Sequence, residues 1–163
     1  MLHVAPERTF EKLFKSCLGS AYITADLRNP KAMVQMDITD IRFPDESFDV
    51  IYCSHVLEHV PDDKRAMREF FRVLKSDGWA ILLVPIIVDK TFEDPLVTDP
   101  AEQLKLFSHK GHLRSYGHDF VERLNEAGFK VDVIIPSDFL SEEEILRMGI
   151  TRSAGEIHYC TKK

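Results

Sequence analysis

Two rhythms of apolar residues divide the chain. Between Pro6 and Cys17 the residues Phe10, Leu13, Phe14 and Cys17 fall at i, i+3, i+4 and i+7, one face of a helix that Pro6 opens and Gly19 ends. The "MLHV" before it is a scrap of strand. After it come "AYITADL", a strand with Asp26 at its C-terminal end, then "MVQMD", ending at Asp37, and "SFDVIYCS", rich in β-branched and aromatic residues. The helical rhythm returns in "PDDKRAMREFFRVLKSDG": acids occupy the first turn, Ala66, Met67, Phe70, Phe71 and Leu74 form the apolar face, and Gly78 lies beyond the end. "WAILLVPI" is continuously apolar, as a strand buried on both faces should be. A later helix carries Phe120, Val121, Leu124 and Ala127 and stops at Gly128, and "FKVDVIIP" is the next strand. Ser141 and Glu144 form a capping box for a short helix, and "EIHYC" is the last strand.

This alternation predicts one α/β domain over residues 1–163, with a largely parallel sheet covered on both faces. The stretch from Ile87 to Ser115 follows neither rhythm except around "PAEQLKLF". Long, polar and rich in Asp, Pro and His, it predicts a mobile, lid-like segment on the ligand-bearing side of the sheet.

Composition narrows the class. A chain of 163 residues that is 44% hydrophobic with 11 Phe can bury a full core. Its 21 basic and 27 acidic residues give a net charge of −6, and the cations are scattered, so nucleic acid is not expected as a partner. The longest apolar run, Trp79 to Val88, is ten residues with Pro85 inside it, too short to cross a bilayer. No basic segment followed by an apolar core opens the chain, as a signal peptide would require. Cys17, Cys53 and Cys160 are odd in number and far apart, which predicts free thiols in a reducing compartment, the cytoplasm. Self-association as a homodimer stays open.

In open α/β sheets ligands bind beyond the carboxyl ends of the strands. The first strands here end at Ala5-Pro6-Glu7, at Asp26 and at Asp37. Asp26 lies 19 residues after Glu7, near the spacing at which one carboxylate accepts from both hydroxyls of a ribose; the alternative is a carboxylate that only ends a strand. His55 follows the fourth strand, and His112 and His118 lie in or just after the irregular stretch. These are the candidates for proton transfer, against the alternative of packing or surface histidines. "HKGH" sets His109 and His112 three residues apart, but with His118 no cysteine or paired carboxylate completes a ligand set, so no metal is expected. Glu58 and His59 read as fixing a turn, Asp49 as structural, and Phe43 as core.

The segment "MDITDIRFPDESFDVIYCSHVLEHVPDDKRAMREFFRVLKSDGWAILLVP" resembles the central half of a class I S-adenosylmethionine-dependent methyltransferase of the type 11 kind, and "HLRSYGHDFVERLNEAGFKV" resembles its late helix and sixth strand. Within that group the chain is similar to an uncharacterised branch with "LHVAPE" in the first loop. The resemblance implies a Rossmann-like sheet of seven strands, the last antiparallel, with helices on both faces. It implies S-adenosylmethionine as cofactor, S-adenosylhomocysteine as product, and a small-molecule or envelope-type methyl acceptor. Carried over by residue, it implies cofactor contacts from Val4, Ala5, Pro6 and Glu7 in the first loop. Asp26 and Leu27 would meet the ribose, Asp37 and Ile38 the adenine, and Ser54 and His55 the methionine part. For Phe43 the resemblance adds an alternative to core, covering the adenine face. Ala5 and Glu7 stand where such enzymes usually have glycines; S-adenosylmethionine has no pyrophosphate that needs bare backbone N–H groups, so a small Ala5 still fits. Glu7 is then either an acceptor for the cofactor's ammonium or a helix-start carboxylate. Because the first strand begins at residue 2, an N-terminally shortened form is expected, with the Ile87 to Ser115 segment or another subunit shaping the acceptor site. The rivals are an inactive binding or scaffold domain of the same fold and a nicotinamide-dependent oxidoreductase, the latter disfavoured because no Gly-x-Gly-x-x-Gly occurs.

Overall fold

The computed structural model describes residues 1–150 and 155–162. β1 (Leu2–Val4) is apolar enough to lie mid-sheet, and all three of its residues are buried. It pairs in parallel with β2 (Ile23–Asp26) on one side and with β4 (Phe48–Ser54) on the other. β3 (Val34–Gln35) extends the sheet beyond β2, and β5 (Leu74–Leu83) pairs in parallel with β4. Past β5 come β9 (Ile157–Lys162), antiparallel, and then β8 (Phe129–Ile134) at the edge, giving the order β3-β2-β1-β4-β5-β9-β8. The antiparallel last strand of the sequence reading is β9.

α1 (Arg8–Leu18) follows β1, and its apolar face is only partly covered: Phe14 packs on Tyr22, Tyr52 and His3, while Leu13 is 54% exposed. α2 (Asp63–Val73) begins with the Asp62 carboxylate accepting from the Arg65 N–H at 2.9 Å, and buries Ala66, Met67, Phe70 and Val73. The sequence pattern carried this helix through Leu74 toward Gly78; the chain leaves it earlier. Leu74 is already extended and pairs with Phe48, and the register shifts before Trp79 meets Val50. Gly78 is therefore a site of close approach: a Cβ there would lie 2.8 Å from the Asp49 carbonyl oxygen and 2.9 Å from the Leu74 side chain. α4 (Phe120–Glu126) anchors Phe120 and Leu124 in the same core, and α5 (Glu142–Met148) has the expected Ser141–Glu144 capping box.

The Ile87 to Ser115 stretch is not irregular. It contains β6 (Phe92–Glu93), α3 (Pro100–Phe107) and β7 (Arg114–Ser115), with β6 and β7 antiparallel. Asp99 caps α3 by accepting from the N–H groups of Ala101 and Glu102 at 2.9 and 3.0 Å, and Phe107 is fully buried. Arg114, 4% exposed, is the anchor. Its guanidinium donates to the carbonyls of Leu57 (2.9 Å) and Pro61 (3.0 Å), to that of Val60, and to the Glu93 carboxylate (3.0 Å). Beside it the Tyr116 hydroxyl and Arg123 both donate to Asp63, at 2.6 and 3.0 Å. The segment's polar residues thus satisfy one another across a packed junction with the turn after β4. Cys17, Cys53 and Cys160 are free, and no helix among the described residues is long and apolar enough to cross a membrane.

Candidate functional site

The ends of β1 and β2 and the loop after β3 open onto a cleft of about 590 Å³. Val4, Ala5, Asp26, Leu27, Asp37 and Ile38, six of the residues expected around a cofactor, line it, facing Val56, His59, Val60, Lys110 and Gly111. Ala5 adopts a left-handed backbone (φ 48°), and its N–H donates to the Ala25 carbonyl at 2.8 Å, which draws the first loop against β2. Asp26 holds its own loop: Oδ1 accepts from the backbone N–H groups of Arg28 and Asn29, both at 2.7 Å. Asp37 does the same, accepting the N–H and the hydroxyl of Thr39 at 2.8 Å each. In both carboxylates the bonds made among the described residues use Oδ1, so Oδ2 keeps its acceptor capacity for a ligand.

Four expected residues stand elsewhere. Pro6, Glu7, Ser54 and His55 do not line the cleft. The Glu7 carboxylate lies 2.8 Å from Nε2 of fully buried His3, whose Nδ1 is 2.7 Å from the Tyr22 hydroxyl; it makes no side-chain cap bond to α1. Its partner is thus a core histidine, a role neither reading of the sequence supplied. Ser54 ends β4, half-buried. Phe43 packs edge-on against Phe48, ring centroids 4.9 Å apart.

A second cavity of about 400 Å³ adjoins the first through His59, which lines both. His55, Glu58, Ile87, Phe107, His109 and His112 surround it. His55 is held in a left-handed conformation (φ 53°), its N–H donating to the Leu83 carbonyl at 2.9 Å. Its Nδ1 lies 3.4 Å from Oε1 of buried Glu58, and that contact holds the imidazole above its ordinary range against an opposing effect of burial. The other Glu58 oxygen is buried and meets no hydrogen-bond partner among the described residues. Burial, and then the neighbouring His59, push the His112 imidazole below its usual value. His118 lines neither cavity: its side chain is 65% exposed and pairs with Glu156 at 3.3 Å. The histidine grouping is therefore His59 with His109 and His112, whose ligating atoms lie within 4.8 Å of one another. Sequence spacing joined His118 to that pair because it could not show the fold bringing His59 across.

Residues 10–82 match the model of a methyltransferase domain. Over those residues the chain is similar to a methyltransferase domain, and its sheet is that of the class I methyltransferase fold. It is 39% identical over 72 residues to the uncharacterized methyltransferase YcgJ of Bacillus subtilis, a match covering 44% of this chain and 27% of that protein. The chain spans about a quarter of the length of the curated relatives it matches. Among solved structures, the 1,6-didemethyltoxoflavin-N1-methyltransferase of Burkholderia thailandensis, bound to 1,6-didemethyltoxoflavin and S-adenosylhomocysteine, superposes with a TM-score of 0.66 at 12% identity, over 99% of this chain and 70% of that one. A chain from the complex of the Haloferax volcanii Trm112 methyltransferase activator with a putative methyltransferase gives 0.66 at 13% identity, over 98% of this chain and 80% of that one. At such identities these structures establish the class I methyltransferase fold. In it the two cavities described above sit at the carboxyl ends of the central strands.

Proposed function

We propose that the chain is a single S-adenosylmethionine-binding methyltransferase domain, working in the cytoplasm on a small-molecule or envelope-type acceptor. The observation that carries this reading is the pair Asp26 and Asp37, set at the ends of adjacent strands on one cleft, each pinned through one oxygen with the other available. The donor set fits the cofactor: Asp26 for the ribose hydroxyls, Asp37 for the adenine amino group, the buried side chain of Ile38 against the base, and Val4 and Ala5 against the sugar. Bound there, S-adenosylmethionine supplies an electrophilic methyl group on a sulfonium, so the protein's task is alignment and exclusion of water. The second cavity receives the acceptor. His55, steadied by Glu58, takes the acceptor's proton where the accepting atom carries one.

Calorimetry with S-adenosylhomocysteine tests the cofactor site. Asp26→Ala is expected to weaken binding by about 1–3 kcal/mol, and Asp37→Asn to cost less than Asp37→Ala because the amide keeps an acceptor oxygen. Unchanged affinity in folded variants of both residues would remove the assignment. His55→Ala is expected to lower turnover by about 100-fold while leaving S-adenosylhomocysteine affinity intact. Methyl release by the parent chain above the uncatalysed rate separates an enzyme from a binding domain.

A further inference from the structure

We propose that His59, His109 and His112 form a site for a divalent first-row transition metal, with zinc as the type ion, at the wall of the second cavity. The three residues come from two separate places in the chain, the turn after β4 and the loop after α3, and the fold alone brings their ligating atoms within 4.8 Å of one another. Their rings stand 4.7 Å (His59–His112) and 4.5 Å (His109–His112) apart between centroids. Around a tetrahedral ion with nitrogen ligands at about 2.0–2.1 Å, neighbouring nitrogens are roughly 3.3 Å apart, so the widest separation closes by at most about 1.5 Å. The loop that carries His109 is built to allow this: His109 is exposed, and Gly111 beside it has a φ of 89°.

Two further observations point to a ligand. His59 Nδ1 lies 3.0 Å from the Gly111 carbonyl oxygen, which can only accept; Nδ1 therefore carries the proton and Nε2 presents its lone pair, the outer-shell arrangement that orients metal-binding histidines. Among the described residues, buried His112 Nδ1 makes no hydrogen bond of good geometry, a polar atom that an ion or its ligand would satisfy. Three imidazoles suit zinc and its neighbours over magnesium or calcium, which take oxygen ligands. Since the same cavity also holds His55 and Glu58, the ion keeps room for a fourth, exchangeable ligand, the pattern of three-histidine sites that act on bound molecules.

The site stands independently of the cofactor assignment and is tested without cofactor. Tag-free protein, stripped with a chelator, is titrated with zinc against a chromophoric competitor. One equivalent per chain is expected, and cobalt is expected to give the intense visible absorption of a four-coordinate ion. His59→Ala and His109→Ala should each weaken zinc binding at least tenfold, and His118→Ala should leave it unchanged. Because His112→Ala removes a half-buried side chain, the exposed His109 variant, with its fold checked by circular dichroism, is the decisive one. No saturable binding, or binding equally strong in the His59 and His109 variants, overturns the site. S-adenosylhomocysteine affinity measured on the His109→Ala variant reports separately on the first cavity.

Discussion

Ala5 carries a backbone conformation that glycine adopts freely and alanine does not. The residue sits in the first loop where class I methyltransferases usually have glycine, so the bend survives the loss of the glycine and the chain bears its strain. Ala5→Gly is therefore expected to raise the free energy of unfolding by up to about 1 kcal/mol, while Ala5→Val, β-branched in the left-handed region, should lower it by more than about 1 kcal/mol; urea denaturation at constant m checks both. The sequence marked this position as unusual through the absence of glycine, and it placed Asp26 and Asp37 at the cleft because both close a strand, Asp26 at a recognisable spacing from Glu7 and Asp37 with its role supplied by the family resemblance. It could not place Glu7, because nothing in a string of letters shows that buried His3, four residues earlier, takes up its carboxylate. Glu58 and His59 were legible as turn residues only; the place of Glu58 on the second cavity and of His59 between the two depends on Arg114 drawing a distant segment onto the turn.

Among the elements, the long strands and α2 were readable because a single apolar rhythm runs through each. The exception is the α2–β5 junction, where Leu74 satisfies both rhythms and tertiary pairing with Phe48 decides for strand. β6 and β7 have two residues each and pair with one another, too short for any periodic signal, and so a folded segment read as an irregular lid. The packed junction now makes a graded prediction for hydrogen exchange. The amides of Leu113 and Ile87, bonded to the carbonyls of Glu58 and Tyr116 at 2.8 and 3.1 Å, should exchange slowly. Those around Leu96, 86% exposed, should exchange fast. Arg114→Met removes the guanidinium that serves the Leu57, Val60 and Pro61 carbonyls and leaves Glu93 with Arg123 alone; it is expected to cost about 3–5 kcal/mol, with protection lost first at Leu113. Uniformly slow exchange from 87 to 115, or a variant as stable as the parent, would contradict the anchoring role.

For the molecule as a whole, stability should depend on pH through His158. This imidazole is fully buried in β9, edge-on to Phe120, with Glu156 at 3.8 Å and His118 beyond it, and burial pushes it down to about 4. In the unfolded chain it would titrate near 6.5, so between those values the unfolded state binds the extra proton. Stability is then complete above about pH 6.5 and falls as the pH drops toward 4, by roughly 3 kcal/mol in all. His158→Leu should flatten that slope in chemical denaturation at pH 7 and pH 5; an equally steep slope would assign it to other groups. β9 has a second consequence, one of timing. It follows β8 in the chain yet lies between β5 and β8 in the sheet, so those two strands have no neighbour in common until it is made. On the ribosome β5 and β8 emerge with open edges and wait, and that end of the sheet can close only after β9 has been threaded between them. Synthesis halted just before residue 157 should therefore yield a chain that exposes two unpaired edges and aggregates, a hazard that a β9 peptide supplied in trans would relieve.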